Sequence, residues 1–160
     1  MRIITINGSL QETAELLIQN AEGFSPTWYK DSFGNDTIGY GFKAGGMAQK
    51  YLGGMQTITE QEGIDILYEI ISDIVISLNA GLSFFKGLQK NQKAVLIDMA
   101  YNLGLNQFYT FNLFIYYMGL EQFDDAVADL TQTLWYNQVK NRAIRDCFNL
   151  FAQEGNLYLI

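Results

Sequence analysis

The sequence predicts an α+β fold that is predominantly α, in which a long helix joins a small N-terminal lobe carrying a β-hairpin to a larger helical lobe. Three observations support this prediction. Apolar residues, 49% of the chain, recur at helical spacing in several long runs. A short β-prone stretch with a turn-rich centre interrupts them at residues 27–41. A capping box opens a long periodic run near residue 60, which predicts the connecting helix.

The N-terminal part is predicted to contain one helix followed by the hairpin. The segment from Ser9 to Glu12 has the form of a capping box, and the apolar positions after it indicate a helix that ends close to Glu22. Two β-prone pieces, residues 27–30 and 37–40, flank a turn-rich segment. Paired glycines then indicate a loop at residues 45–54.

The rest of the chain is predicted to be helical. The segment from Thr59 to Glu62 is a second capping box and opens a helix. Further helices are predicted at about Lys90 to Leu103, Asn112 to Met118, Gln122 to Thr131 and Asn137 to Gln153. The C-terminal half is therefore expected to be all helix. We assign a role in helix packing, and not in the functional site, to the aromatic residues Trp135, Phe108, Phe111 and Phe148.

Length and pattern together predict one domain over residues 1–160. Its first lobe covers about 10–58, with the hairpin at 27–41. The connecting helix covers about 60–79 and the helical lobe about 80–160.

The composition excludes several classes of function. The chain contains no histidine, which removes Ser-His-Asp and Cys-His nucleophilic catalysis and the usual His-bearing zinc sites. We expect no metal and no cofactor. With 10 Lys and Arg against 17 Asp and Glu, the net charge of −7 opposes binding to nucleic acid. Cys147 is the only cysteine, so it cannot form an intramolecular disulfide, and we predict that it is a buried thiol.

No targeting or membrane segment is expected. The chain has no stretch near the ~20 apolar residues of a membrane span. Its N-terminus, Met-Arg-Ile-Ile-Thr-Ile-Asn-Gly, lacks the apolar region of a signal peptide. The sequence therefore predicts a protein made in the cytoplasm without a signal peptide.

Two carboxylates near the hairpin suit glycoside hydrolysis. That reaction needs an acid that protonates the leaving oxygen and a second carboxylate that activates water or attacks the sugar. Glu22, at the end of an apolar helix, suits the first role, and Asp31, in the hairpin turn, suits the second. The pair alone is weak support, because 17 acidic residues produce many such pairs.

The residues around this pair form a specific pattern. They read Glu22-Gly23-Phe24, Tyr29-Lys30-Asp31, Gly34 and Thr37-Ile38-Gly39-Tyr40-Gly41. This pattern resembles the phage lysozyme or endolysin family, glycoside hydrolase family 24, which includes the lysozyme of T-even coliphages. The resemblance continues through Ile58-Thr59, Ala94 to Gly104, Trp135-Tyr136-Asn137-Gln138, Asn141-Arg142-Ala143 and Arg145, leaving out only the first eight or so residues and the last few.

The resemblance implies a lysozyme-like fold and a role for each matching residue. It makes Glu22 the general acid and has Asp31 and Thr37 hold the attacking water. It makes Gly41, Tyr101 and Asn102 substrate-binding residues, and Arg142 an arginine that pairs with the catalytic glutamate. The implied reaction is inverting hydrolysis of the β-1,4 bond between N-acetylmuramic acid and N-acetylglucosamine.

The resemblance also implies a partner and a place of action. The partner is the glycan strand of peptidoglycan, bound by a monomer or by a component of a larger phage assembly. The enzyme would reach the cell wall after holin-dependent release or as part of the virion.

Three departures from the family pattern keep alternatives open. Phe42 stands where the family commonly has histidine, and Asp36 adds a carboxylate beside Thr37. We expect Asp36 to point outward as a turn residue. The acidic net charge opposes approach to an anionic wall. The alternatives are a catalytically silent module that binds glycan or protein, and a glycosidase acting on a related N-acetylated glycan such as chitin.

Overall fold

Helices form most of the structure, a computed structural model that describes residues 1–160. The α-helices are α1 (Leu10–Glu22), α2 (Gln49–Leu52), α3 (Glu60–Gly81), α4 (Lys90–Leu103), α5 (Leu105–Phe108), α6 (Asn112–Gly119), α7 (Phe123–Thr131), α8 (Leu134–Val139) and α9 (Asn141–Phe151). A 3-10 turn lies at Phe85–Gly87. The strands are β1 (Arg2–Thr5), β2 (Ser25–Lys30), β3 (Asp36–Gly39), β4 (Phe42–Lys43) and β5 (Asn156–Leu159). The predicted α+β class with predominant helix is confirmed.

Both predicted capping boxes are present. The hydroxyl of Ser9 accepts from the backbone N–H of Glu12, and the Glu12 carboxylate accepts from the Ser9 N–H at 2.6 Å. Thr59 and Glu62 make the equivalent contacts at the start of α3. Helix α1 ends where Gly23 adopts a φ of +67°. Glu22 is therefore the last helical residue before the chain enters the sheet.

A three-stranded antiparallel sheet follows α1 in the order β2-β3-β4. The two predicted strands of the hairpin are confirmed, with β2 beginning two residues earlier than predicted, and β4 is an addition to the prediction. Tyr29 pairs with Thr37 across the β2–β3 ladder. Directly opposed residues of an antiparallel pair project from the same face of the sheet. Tyr29 and Thr37 are therefore side-chain neighbours.

The prediction that the C-terminal half is all helix is wrong. Strand β5 pairs with β1 in a second antiparallel sheet, with Arg2 opposite Leu159 and Thr5 opposite Asn156. The helix predicted from Asn137 to Gln153 is also wrong as a single element, because Lys140 at a φ of +40° separates α8 from α9. A positive φ is incompatible with a continuous right-handed helix.

One hydrophobic core runs through both predicted lobes, and α4 lies at its centre. Ala94, Leu96, Ile97 and Met99 are fully buried there. Burial of Trp135, Phe108 and Cys147 is confirmed, whereas Phe148 is 49% exposed, so its assignment to packing is wrong. Phe148 instead lies against Tyr158 at the surface of α9 and β5. None of the helices combines the length and apolar character that crossing a membrane requires.

Candidate active site

An open cleft of about 420 Å³ lies between the three-stranded sheet and the C-terminal end of α4. Six of the seven predicted site residues line it, namely Glu22, Asp31, Thr37, Gly41, Tyr101 and Asn102. Arg142, the seventh, is buried and reaches Glu22 from α9. The fold thus brings residues from α1, the sheet, α4 and α9 to one place.

Glu22 is held on one side by a cation and approached on the other by backbone. Its Oε1 accepts a hydrogen bond from Nη1 of Arg142, while its side chain keeps 22% exposure. Gly41, at a φ of +80°, passes so close that a Cβ there would lie 2.7 Å from Oε2 of Glu22. A side chain at position 41 would displace this carboxylate. The glycine is therefore required by the position of Glu22.

Arg142 is fixed by a second carboxylate. Its Nε and Nη2 donate to Oδ2 and Oδ1 of Asp98, both at 2.8 Å. Burial opposes the charged guanidinium, but Asp98 and Glu22 outweigh this effect and raise the pKa of Arg142 above its ordinary value. A bidentate pair of this kind, with two hydrogen bonds between one guanidinium and one carboxylate, restricts the arginine to one orientation.

Asp31 is held as an anion by the turn that follows it. Its Oδ1 accepts from the backbone N–H groups of Phe33 at 2.9 Å and Asn35 at 2.8 Å, and its Oδ2 accepts from the Asn35 side-chain amide at 2.9 Å. Lys43 lies 3.6 Å from Oδ2. The Asn35 amide is the largest cause that lowers the pKa of Asp31, which falls to about 2. Asp31 is consequently an anion at neutral pH.

Thr37 is buried beside Asp31 at the start of β3. Its hydroxyl donates to the carbonyl oxygen of Asn35 at 3.1 Å. Because this bond uses the only hydrogen of the hydroxyl, the lone pairs of the oxygen remain able to accept from a water in the cleft.

Tyr29 also lines the cleft, and it was missed by the sequence analysis. Burial raises the pKa of its phenol, and the negative charges of Glu22 and Asp31 raise it further. The phenol therefore lies within electrostatic reach of both carboxylates. The predicted hairpin could have indicated it, because pairing residues 27–30 with residues 37–40 brings Tyr29 and Thr37 to one face of the sheet.

Tyr101 and Asn102 form the α4 wall of the cleft. The Tyr101 hydroxyl donates to the backbone carbonyl of Tyr40 at 2.5 Å, which ties α4 to the sheet. The Asn102 Oδ1 accepts from the indole N–H of Trp135 at 2.8 Å. The Asn102 NH₂ group makes no hydrogen bond within the protein, and the residue lines the cleft. Trp135 thus orients a cleft residue in addition to packing, a role that the sequence analysis had excluded.

Two of the three departures from the family pattern, Phe42 and Asp36, add no charge to the cleft. Phe42 is buried with its ring edge-on to Tyr40, at 6.4 Å between centroids. Asp36 is exposed and pairs with Lys30 at 2.8 Å, which confirms that it points outward. The expectation that Asp36 is a turn residue is wrong, because it is the first residue of strand β3. No group of three acidic or cysteine side chains is arranged to hold a metal ion.

Comparison with known protein families decides the classification. The family model described as phage lysozyme matches residues 19–148, most of the chain. The chain belongs to the phage lysozyme family. Membership supports a general role in peptidoglycan hydrolysis, with the cell-wall glycan as substrate. The matched residues include the whole cleft, whereas β1 and β5 lie outside them. A comparison with curated proteins gave no match.

Proposed function

We propose that this phage lysozyme is an N-acetylmuramidase that cleaves the β-1,4 bond between N-acetylmuramic acid and N-acetylglucosamine. The observation that carries the proposal is that one cleft contains both Glu22 and an ionised Asp31. A glycosidase needs two such groups in different protonation states, one to donate a proton and one to attract a proton from water.

Glu22 is the general acid. Arg142 fixes one oxygen, and Oε2, beside Gly41, is the oxygen that presents the proton to the glycosidic oxygen. A general acid must carry its proton when the substrate is in place. Bound sugar excludes bulk water from the cleft, so the proton passes from Glu22 to the glycosidic oxygen directly.

Asp31 and Thr37 hold the attacking water. The hydroxyl oxygen of Thr37 accepts one hydrogen of the water, and the carboxylate of Asp31 accepts the other as the new bond to the anomeric carbon forms. Asp31 is restrained by Asn35 and by two backbone N–H groups. This restraint favours water as the nucleophile over direct attack by the carboxylate. The product is then the inverted α-anomer.

The α4 wall binds the sugar. The free NH₂ of Asn102 donates to an N-acetyl carbonyl, the ring of Tyr101 contacts the sugar face, and the missing side chain at Gly41 admits the saccharide next to Glu22. The biological role that follows is lysis or penetration of the bacterial wall, by an enzyme released through a holin pore or carried in the virion.

The test compares wild type with Glu22→Gln on purified peptidoglycan. The amide keeps the shape of the carboxyl group but removes its transferable proton. Glu154→Gln makes the same chemical change at an exposed position and serves as the matched control. Reduction and hydrolysis of the products identify the reducing-end sugar, and sedimentation with the wall measures binding.

We expect wild type and Glu154→Gln to release N-acetylmuramic acid reducing ends, and Glu22→Gln to sediment with the wall without cleaving it. Proton NMR of the first product should show the α-anomer. Release of N-acetylglucosamine ends alone would assign a different bond. If all three proteins bind the wall and none cleaves it or chitin, the fold serves as a binding module.

A further inference from the structure

Behind Glu22, five charged side chains form a continuous chain of contacts from the cleft into the core. We call it the charged layer; in order of contact it consists of Glu22, Arg142, Asp98, Arg145 and Asp146. Nη2 of Arg145 lies 2.7 Å from Oδ2 of Asp98 and 2.7 Å from Oδ1 of Asp146. The side chains of Asp98, Arg145 and Asp146 have no exposure to solvent.

The charges of this layer do not balance if every group is ionised. Three carboxylates would face two guanidinium groups, and of the three carboxylates only Glu22, with 22% exposure, keeps contact with water. An uncompensated buried charge costs several kcal/mol, whereas a buried carboxyl group can avoid this cost by binding a proton. Of the three acids, Asp98 and Asp146 are the two without contact with water, so they gain most from binding a proton.

The hydrogen bonds distinguish the two buried acids. Asp98 accepts side-chain hydrogen bonds from both arginines on its two oxygens. Asp146 accepts only on Oδ1, from Arg145, and its Oδ2 is buried without a partner. The two carboxyl groups are neighbours, because Oδ2 of Asp98 and Oδ1 of Asp146 both accept from Nη2 of Arg145.

The pKa shifts of the two buried acids have opposite directions. Burial opposes ionisation of Asp98, but Arg142 and Arg145 outweigh it and lower its pKa. For Asp146, burial and the negative charge of Asp98 raise the pKa well above its ordinary value.

We propose that Asp146 carries a proton in the folded protein and donates it in a hydrogen bond to Asp98. The neutral acid leaves Asp98 as the one buried carboxylate between the two arginines. It also fixes Asp98, which in turn aims Arg142 at Glu22. Asp146 is thus a positioning residue, and this last step rests on the proposed role of Glu22 as the acid.

The groups that face Asp146 permit a clean test of its titration. They are Asp98 from α4, Arg142, Arg145 and Cys147 from α9, and, through Arg142, Glu22 from α1. Burial, with Asp146 as a smaller cause, raises the pKa of Cys147 to about 12, so its thiol is neutral throughout. The chain has no histidine, whose titration would otherwise dominate between about pH 5 and pH 7.

The first experiment measures urea unfolding of wild type and Asp146→Asn across this range. Unfolding releases the proton of Asp146, because an exposed aspartic acid is ionised there. The unfolding equilibrium constant of wild type, divided by that of the variant, should therefore rise about tenfold per pH unit. The ratio divides out every group that both proteins share. A ratio that stays constant with pH would show that Asp146 is ionised in the folded state and would overturn the proposal.

Infrared difference spectroscopy at neutral pH gives a second, independent readout. Wild type minus Asp146→Asn should show the carbonyl stretch of a protonated carboxylic acid. A carboxylate band in its place would contradict the proposal. Because both experiments observe Asp146 directly and need no substrate, they succeed or fail independently of the proposed function.

The positioning role is tested by activity. Asp146→Leu keeps position 146 uncharged but removes the hydrogen bond to Asp98, and we expect kcat to fall by about tenfold with little change in KM. Asp146→Asn retains a neutral donor and should recover most of that loss. If both variants match wild type in kcat while the infrared band is present, the proton is there but does not position Glu22. If Glu22→Gln retains activity, the failure lies in the proposed function instead.

Discussion

Arg142 reaches Glu22 with Nη1 alone, because its other two nitrogens are both engaged by Asp98. The arginine therefore contributes one directed hydrogen bond to the site and keeps most of its charge compensated in the core. Rotation of the guanidinium would break two buried hydrogen bonds, so its orientation is fixed. The hydrogen bond from this fixed group restrains the Glu22 carboxylate to one position. The position of the proposed acid is in this way set by α4 and α9 as much as by α1.

Arg142→Lys should separate charge from geometry. Lysine keeps the positive charge, but its single ammonium group cannot make a bidentate pair of hydrogen bonds with Asp98 and also reach Glu22. We expect kcat to fall by about tenfold or more, and the free energy of unfolding to fall by about 2 kcal/mol. Steady-state kinetics and urea unfolding measure the two effects. Arg2→Lys, the same change at an exposed arginine, should alter neither quantity.

Gly41→Ala should inactivate the enzyme without unfolding it. The added Cβ would lie 2.7 Å from Oε2 of Glu22, so the carboxylate must shift away from the position in which Arg142 holds it. The positive φ adds a strain of about 1–2 kcal/mol. Gly54→Ala has a similar φ of +84° with nothing within 4 Å of the new Cβ, so it carries the strain without the collision. Equal loss of kcat in the two variants would mean that backbone strain, and not displacement of Glu22, is responsible.

Asn35→Ala should move the acid limb of the pH–activity profile. The Asn35 side chain is the largest cause of the low pKa of Asp31, about 2, so its removal should raise that pKa toward the ordinary value. Loss of activity on acidification should then begin at a higher pH than in wild type. The sign follows because a depressed pKa keeps the carboxylate ionised, and proton-accepting, down to low pH.

The profile is measured as kcat/KM on a soluble glycan fragment, with circular dichroism at each pH to confirm folding. Asn106→Ala, at an exposed position outside the cleft, provides the control. An unchanged acid limb in Asn35→Ala would remove Asp31 as the group that limits activity at low pH.

Local signals predicted much of this fold. The capping boxes at Ser9 and Thr59 marked the starts of α1 and α3, since they depend only on residues within one helical turn. The sheet formed by β1 and β5 was missed because its strands are four residues each and lie at opposite ends of the chain. No local pattern specifies a partner at that separation. The break at Lys140 was missed because neither glycine nor proline marks it.

The sequence predicted the residues that line the cleft but not the buried charges that lie behind them. A pattern of matching residues placed six residues in one cleft, but it gave no indication of the charged layer behind Glu22. Arg145 and Asp146 are adjacent in sequence and charged, which normally indicates an exposed face, yet both are fully buried. Their burial depends on Asp98 from α4, a long-range pairing that periodicity within α9 cannot reveal.

The net charge of −7 predicts that salt should accelerate this enzyme on intact walls. Bacterial walls are anionic, so the protein is repelled at low ionic strength, and raising the salt from about 10 to about 150 mM shortens the screening length from roughly 30 to 8 Å. We expect the initial rate of wall lysis to rise several-fold over this range. The double variant Asp65→Asn/Glu69→Gln, changed on the exposed face of α3 away from the cleft, should exceed wild type at low salt and equal it at high salt. A wild-type rate that falls with salt would show that a local basic surface, and not the net charge, governs approach to the wall.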